Sequence, residues 1–165
     1  MGPPATTGMI VGSVLRETIG VLVVVAFGVG CGANAPARND SEWIANARGV
    51  VEQLRGDVVA VSGYDRLGTA RAGLHDESQL YGLLVAYTDL GGCRHMVAAV
   101  GVEPSRLARA ARLLRRACRH LDRADALFAK AVARSAPRLL ANATREAIAA
   151  VPSLDAAALE LARAA

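Results

Sequence analysis

The chain has 165 residues, 53% of them hydrophobic and only 4% aromatic, with a formal net charge of +4. That length gives one domain with an appendage, and the excess of Ala and Leu favours helix over strand. The charge is too modest to mark a nucleic-acid binder, and with Trp43 the single Trp the core must be built from Leu, Val and Ala around a few rings.

The first element is an apolar leader. Residues 18–30 hold no charged side chain, a run of 13 positions. A membrane-spanning helix needs about 20 apolar residues, whereas the apolar region of a signal peptide runs about 7 to 15. The stretch also lacks the polar face that a core helix should show. Arg16 beside Glu17 makes a poor positive start, and initiation at Met9 would give a more compact leader.

The run ends in Gly28-Val29-Gly30-Cys31. This segment resembles the lipobox of bacterial lipoproteins, in which a small residue precedes an acceptor Cys. Gly30 matches the small position and Cys31 the acceptor, while Gly28 stands where Leu is usual. The resemblance covers the first 31 residues only. It implies lipidation of the Cys31 thiol and cleavage just before it, so that residues 1–30 are a signal peptide. A diacylglyceryl Cys carries at least two chains, enough for stable attachment. Residues 31–40 are small, polar and Pro-containing and read as a flexible tether to a helical domain over 41–165. Ala33-Asn34-Ala35 has the form of an ordinary signal cleavage site, which would release a secreted protein without Cys31. An uncleaved anchor is the third reading.

Within the domain, Asp40 and Ser41 are placed to cap a first helix, and Ile44, Ala47, Val51, Leu54, Val58 and Val61 form one apolar stripe. Gly63, Gly68 and Gly73 predict a loop with a short helical turn around Leu67 and Ala70, with His75 in the loop. Asp76 followed by Gln79 predicts a capped second helix carrying Leu80, Leu83, Leu84, Tyr87, Leu90, Val97 and Val100. Gly91-Gly92 predicts a kink or an early end, Gly101 a stop, and Pro104 the start of the next helix.

The third helix carries the strongest pattern. Leu107, Leu114, Leu121 and Phe128 fall seven apart, and so do Ala110, Ala117, Ala124 and Ala131. Large knobs beside small residues allow a close partner helix. Ser135 and Pro137 mark its end. Leu139 to Val151 predict a fourth helix, and Ser153 is placed to cap a short fifth with Leu154, Ala158, Leu159 and Leu161. The expected fold is all-α, an up-and-down bundle of about four helices.

Cys93 and Cys118 remain once Cys31 is lipidated or removed, and an exported domain with two Cys invites a disulfide. Register opposes it. A hairpin turn near Val102 sets position 93 opposite about 112, an offset of about 9 Å at helical rise. A break at Gly91-Gly92 or a longer turn would restore the bond; otherwise both are buried thiols. Cys-Arg-His occurs twice, at 93–95 and 118–120. Residues two apart on a helix point to opposite sides, so the tripeptides are not read as metal ligands, and His95 and His120 are expected to be partly exposed.

Arg109, Arg116, Arg123 and Lys130 fall seven apart opposite the Leu row, flanked by Arg112 and Arg119. This cationic ridge fits anionic lipid headgroups or wall polymers, with a solvated helix face as the plain alternative. Asp122 and Asp125 would dilute its field, and Asp125 is placed to pair with an Arg. No aromatic platform for nucleic-acid stacking accompanies the ridge, and no nucleic-acid partner is expected. No hydrolase, metalloprotease or phosphate-loop motif is present, so neither catalysis nor a cofactor is expected. The chain therefore reads as a binding or scaffolding protein on the extracytoplasmic face of the cell membrane, or secreted. A partner protein in the envelope would dock on an exposed apolar patch. The alternative is a small-molecule or lipid carrier with a ligand between its helices, against which the close-packing Ala rows argue.

Overall fold

Asn39 opens the first helix. Its side chain accepts a hydrogen bond from the Glu42 amide at 2.9 Å, which satisfies one of the free donors of the first turn. The cap is therefore one residue earlier than Asp40, whose side chain instead binds Arg106 across the bundle. The computed structural model describes residues 39–165; the leader over 1–30, Cys31 and nearly all of the predicted tether lie outside the described residues.

Among the described residues the secondary structure is helical throughout: α1 (Asp40–Val61), α2 (Leu67–His75), α3 (Glu77–Gly91), α4 (Cys93–Ala99), α5 (Ala108–Ala133), α6 (Pro137–Ala149) and α7 (Val151–Ala164). The all-α expectation holds, but seven helices replace about four. Each extra helix has a local cause. The glycine-punctuated stretch closes into α2 because Ala70 and Gly73 find buried places, and His75 is the last residue of that helix. Asp76 then caps α3 by accepting from the Gln79 amide at 2.9 Å, as its spacing predicts. The second predicted helix divides at Gly92 into α3 and α4. The tail divides at Ala150, because Pro152 in the first turn of α7 lacks the N–H that would continue α6. Ser153 is buried inside α7 rather than capping it, and α7 is as long as α6.

α5 is the central element. α3, α4, α6 and α7 all pack on it, while α1 packs on α3 and α7. Both heptad rows are buried: the larger one over Leu107, Leu114, Leu121 and Phe128, and the Ala row over 110, 117, 124 and 131. Nearly flat Ala positions let neighbouring helices approach, and the Leu side chains fill the grooves between them. Tyr87 from α3 stacks on Phe128 with ring centroids 4.2 Å apart, and its hydroxyl meets the Thr144 hydroxyl at 3.1 Å. Burial pushes the Tyr87 phenol up to about 12. A buried hydroxyl pair of this kind fixes how α3, α5 and α6 seat together.

α5 ends in a Schellman motif. The amide of Ala136 bonds to the Ala131 carbonyl and that of Ser135 to Val132, with Ser135 at a φ of 46°. α4 ends at Ala99, and Gly101 just past its cap has a φ of 104°, open to glycine and not to other residues. At the end of α3, Gly91 allows a close approach, since a Cβ there would come within 2.8 Å of the Asp125 carboxyl carbon.

Candidate functional site: a cationic ridge and the cleft beside it

Helical spacing predicts a row of cations on the outer face of α5, and the structure exposes all six: Arg109, Arg112, Arg116, Arg119, Arg123 and Lys130. Arg109 is drawn toward Glu160 of α7 at 3.5 Å. Among the described residues the other five form no ion pair. From Arg112 to Lys130 they cover about 27 Å at helical rise. Neither of the two aspartates expected to dilute the field pairs with a cation of the row among the described residues. Asp122 is half-buried and pairs with Arg94 of α4. Asp125 is half-buried against Gly91, and burial, then the nearby Asp122 charge, raises its carboxyl above the usual range. The predicted Arg partner therefore belongs to Asp122 and not to Asp125.

Cys93 and Cys118 are bonded, with Cα atoms 5.4 Å apart. The register objection fails because the helix breaks at Gly92, between α3 and α4, and residues 100–107 form a connection longer than a tight turn. The repeated tripeptide now has a geometric reading. Joining the two Cys residues brings the residue after each of them, Arg94 and Arg119, to the walls of one cleft. The third residues part company: His95 is exposed, and His120 Nδ1 lies 3.0 Å from Glu146 of α6. Among the described residues no group of His, Cys, Asp and Glu side chains is disposed to hold a metal ion.

The cleft is half open to solvent and has a volume of about 610 Å³, within the range of small-molecule sites. α4 supplies Arg94, Val97 and Ala98, one face of a helix at steps of three and four. α5 supplies Ala111, Arg115, Cys118 and Arg119, again a single face. Trp43, only 2% exposed, closes the cleft from α1, and its indole N–H donates to the Gly101 carbonyl at 3.4 Å. Gly101 and Glu103 complete the rim.

Three guanidiniums face one carboxylate in this lining, and they are not equivalent. Arg115 grips Glu103 with both Nη atoms, at 2.6 and 3.3 Å. That fork, then the charges of Arg115 and Arg112, holds the Glu103 carboxyl below its usual range. Arg94 meets Asp122 through Nε. Arg119 donates only to the Arg115 carbonyl, at 3.4 Å, and no carboxylate neutralises it. Sequence spacing finds the ridge because it lies on one helix. It misses Trp43, Arg94 and Glu103 as neighbours because they come from three other segments.

Two further features lie elsewhere on the surface. Tyr81, Leu84 and Val85 form an exposed apolar strip on α3, although the pattern of α3 predicts Leu84 on the buried side. Asp57 is half-buried on α1, and its Oδ2 atom is shut off from solvent without a partner. Burial, then repulsion from Asp89, raises its carboxyl to about 6.

Among the described residues no helix is long and apolar enough to cross a membrane. The chain matches no protein-family model, no curated protein and no solved structure.

Proposed function

We propose that this chain is a lipid-anchored binding or scaffolding protein of the bacterial cell envelope, which holds its helical domain against an anionic surface through α5. The observation that carries the reading is the row Arg112, Arg116, Arg119, Arg123 and Lys130, exposed along one helix and free of ion pairs among the described residues. Cations so placed each contribute about 1 kcal/mol beside an anionic membrane. The Cys93–Cys118 bond supports an extracytoplasmic site of action, since disulfides persist in oxidising compartments. The lipobox-like Gly28-Val29-Gly30-Cys31 supports anchoring at Cys31. The apolar strip at Tyr81, Leu84 and Val85 suits a protein partner in the same envelope.

Vesicle co-sedimentation tests the surface reading. With Cys31→Ser protein, which carries no acyl chain to insert in either bilayer, phosphatidylglycerol vesicles should retain the protein and phosphatidylcholine vesicles should not. Changing Arg112, Arg116, Arg123 and Lys130 together to Gln in this protein should weaken retention on the order of a hundredfold or more, with strong salt dependence before the change. Equal retention with and without these substitutions removes the reading. Fatty-acid labelling of wild type and Cys31→Ser tests the anchor; label on both, or on neither, rejects it.

A second reading, a small-molecule carrier, is supported by the cleft between α4 and α5, which combines guanidinium and apolar groups in 610 Å³.

A further inference from the structure

The ligand class of the cleft follows from which of its polar groups are already occupied, and it rests on the carrier reading. Arg115 and Glu103 neutralise each other in a two-point contact. Arg94 spends Nε on Asp122, which leaves its two Nη groups, and Arg119 spends one donor on a backbone carbonyl. These two guanidiniums flank the disulfide on opposite walls. Their planar donors match an oxyanion such as a carboxylate or a phosphate monoester. The rest of the lining is different in kind: Val97 and Ala98 on one side, Ala111 and Cys118 on the other, and Trp43 behind. A purely inorganic anion would leave this surface uncovered, and a neutral lipid would leave Arg119 unanswered. Glu103 at the rim is already held by Arg115, so the lining leaves the oxyanion to Arg94 and Arg119.

We propose that the cleft between α4 and α5 binds an amphiphile with a single oxyanionic head, the head held by Arg94 and Arg119 and the aliphatic portion laid over Val97, Ala98 and Ala111 toward Trp43. A free carboxylic acid and a phosphate monoester share this chemistry, and the experiment separates them.

Trp43 is the only Trp in the chain and lines the cleft, so its emission reports occupancy without a label. The full protein is titrated with octanoate, octyl phosphate, octyl glucoside and inorganic phosphate, by fluorescence and by calorimetry, below the micellar range of each amphiphile. Saturable binding of octanoate or octyl phosphate, at least tenfold tighter than octyl glucoside or inorganic phosphate, is the expected result, and the tighter of the two names the head group. Arg119→Gln replaces an exposed side chain with no carboxylate partner, so the fold should survive it. The variant should weaken the anionic amphiphile at least tenfold and leave octyl glucoside unchanged. Ala98→Phe should weaken every amphiphile by occupying the cleft. Equal binding of octyl glucoside and octanoate overturns the ligand class and leaves the carrier reading standing. A flat titration with all four compounds by both methods overturns the two together. Inorganic phosphate binding as tightly as the amphiphiles overturns the apolar half of the assignment.

Discussion

Breaking the Cys93–Cys118 bond should destabilise the domain by about 3.5 kcal/mol. The bond closes a loop with a sequence separation of 25, and chain-entropy scaling for a loop of that size gives this figure at 25 °C. The fold gives a reason for the loss to fall unevenly. α4 has only seven residues, too few to hold helical structure without tertiary contacts, and Cys93 is its sole fully buried residue. The bond therefore ties a marginal helix to the central α5, and the same helix forms one wall of the cleft. The experiment uses Cys31→Ser protein, so that no other thiol exchanges. Urea unfolding is followed by far-UV circular dichroism with and without a phosphine reductant. With a urea slope of about 1 to 3 kcal/mol per molar, the midpoint should fall by about 1.2 to 3.5 M. Trp43 emission should change at lower denaturant in the reduced protein than helicity does, because the α4 wall loosens first. Coincident midpoints for oxidised and reduced protein would refute the reasoning, as would two titratable thiols in the protein purified without reductant.

Tyr87→Phe should cost about 1 to 2 kcal/mol, since it leaves the buried Thr144 hydroxyl unpaired, and adding Thr144→Val should recover much of the loss; chemical denaturation of the four proteins of that cycle checks it. Asp57→Asn should stabilise the protein at pH 7 and leave it unchanged near pH 3. The native carboxyl titrates near 6 and the unfolded one near 3.8, so the wild type loses stability as pH rises between those values and is level above them; a stability difference independent of pH would contradict the assignment. Ser135→Gly should stabilise by up to about 1 kcal/mol by relieving the left-handed conformation at the end of α5, visible as a higher midpoint of thermal unfolding. Gly91→Ala should destabilise, because its methyl group would lie 2.8 Å from the Asp125 carboxyl; an unchanged unfolding midpoint would show that α3 can yield there.

The sequence alone determined what depends on spacing along one helix. The seven-residue rows of α5 predict both its buried face and its cationic face, because helical periodicity sets direction without reference to any other element. The Asp76 cap and the stops at Gly101 and Ser135 were legible for the same local reason. Tertiary structure decided the rest. Whether Cys93 reaches Cys118 depends on where α3 breaks and on the path of residues 100–107, a geometry no single periodicity encodes. α2 forms because neighbours bury Ala70 and Gly73, not because its glycine-rich sequence favours helix. Asp122 rather than Asp125 pairs with an arginine because α4 presents Arg94 to one and α3 presents Gly91 to the other. The cleft is the furthest from the sequence. Its lining comes from α1, α4, α5 and the connection before α5, segments up to 76 positions apart, and only packing brings a buried indole and an unneutralised guanidinium to one cleft.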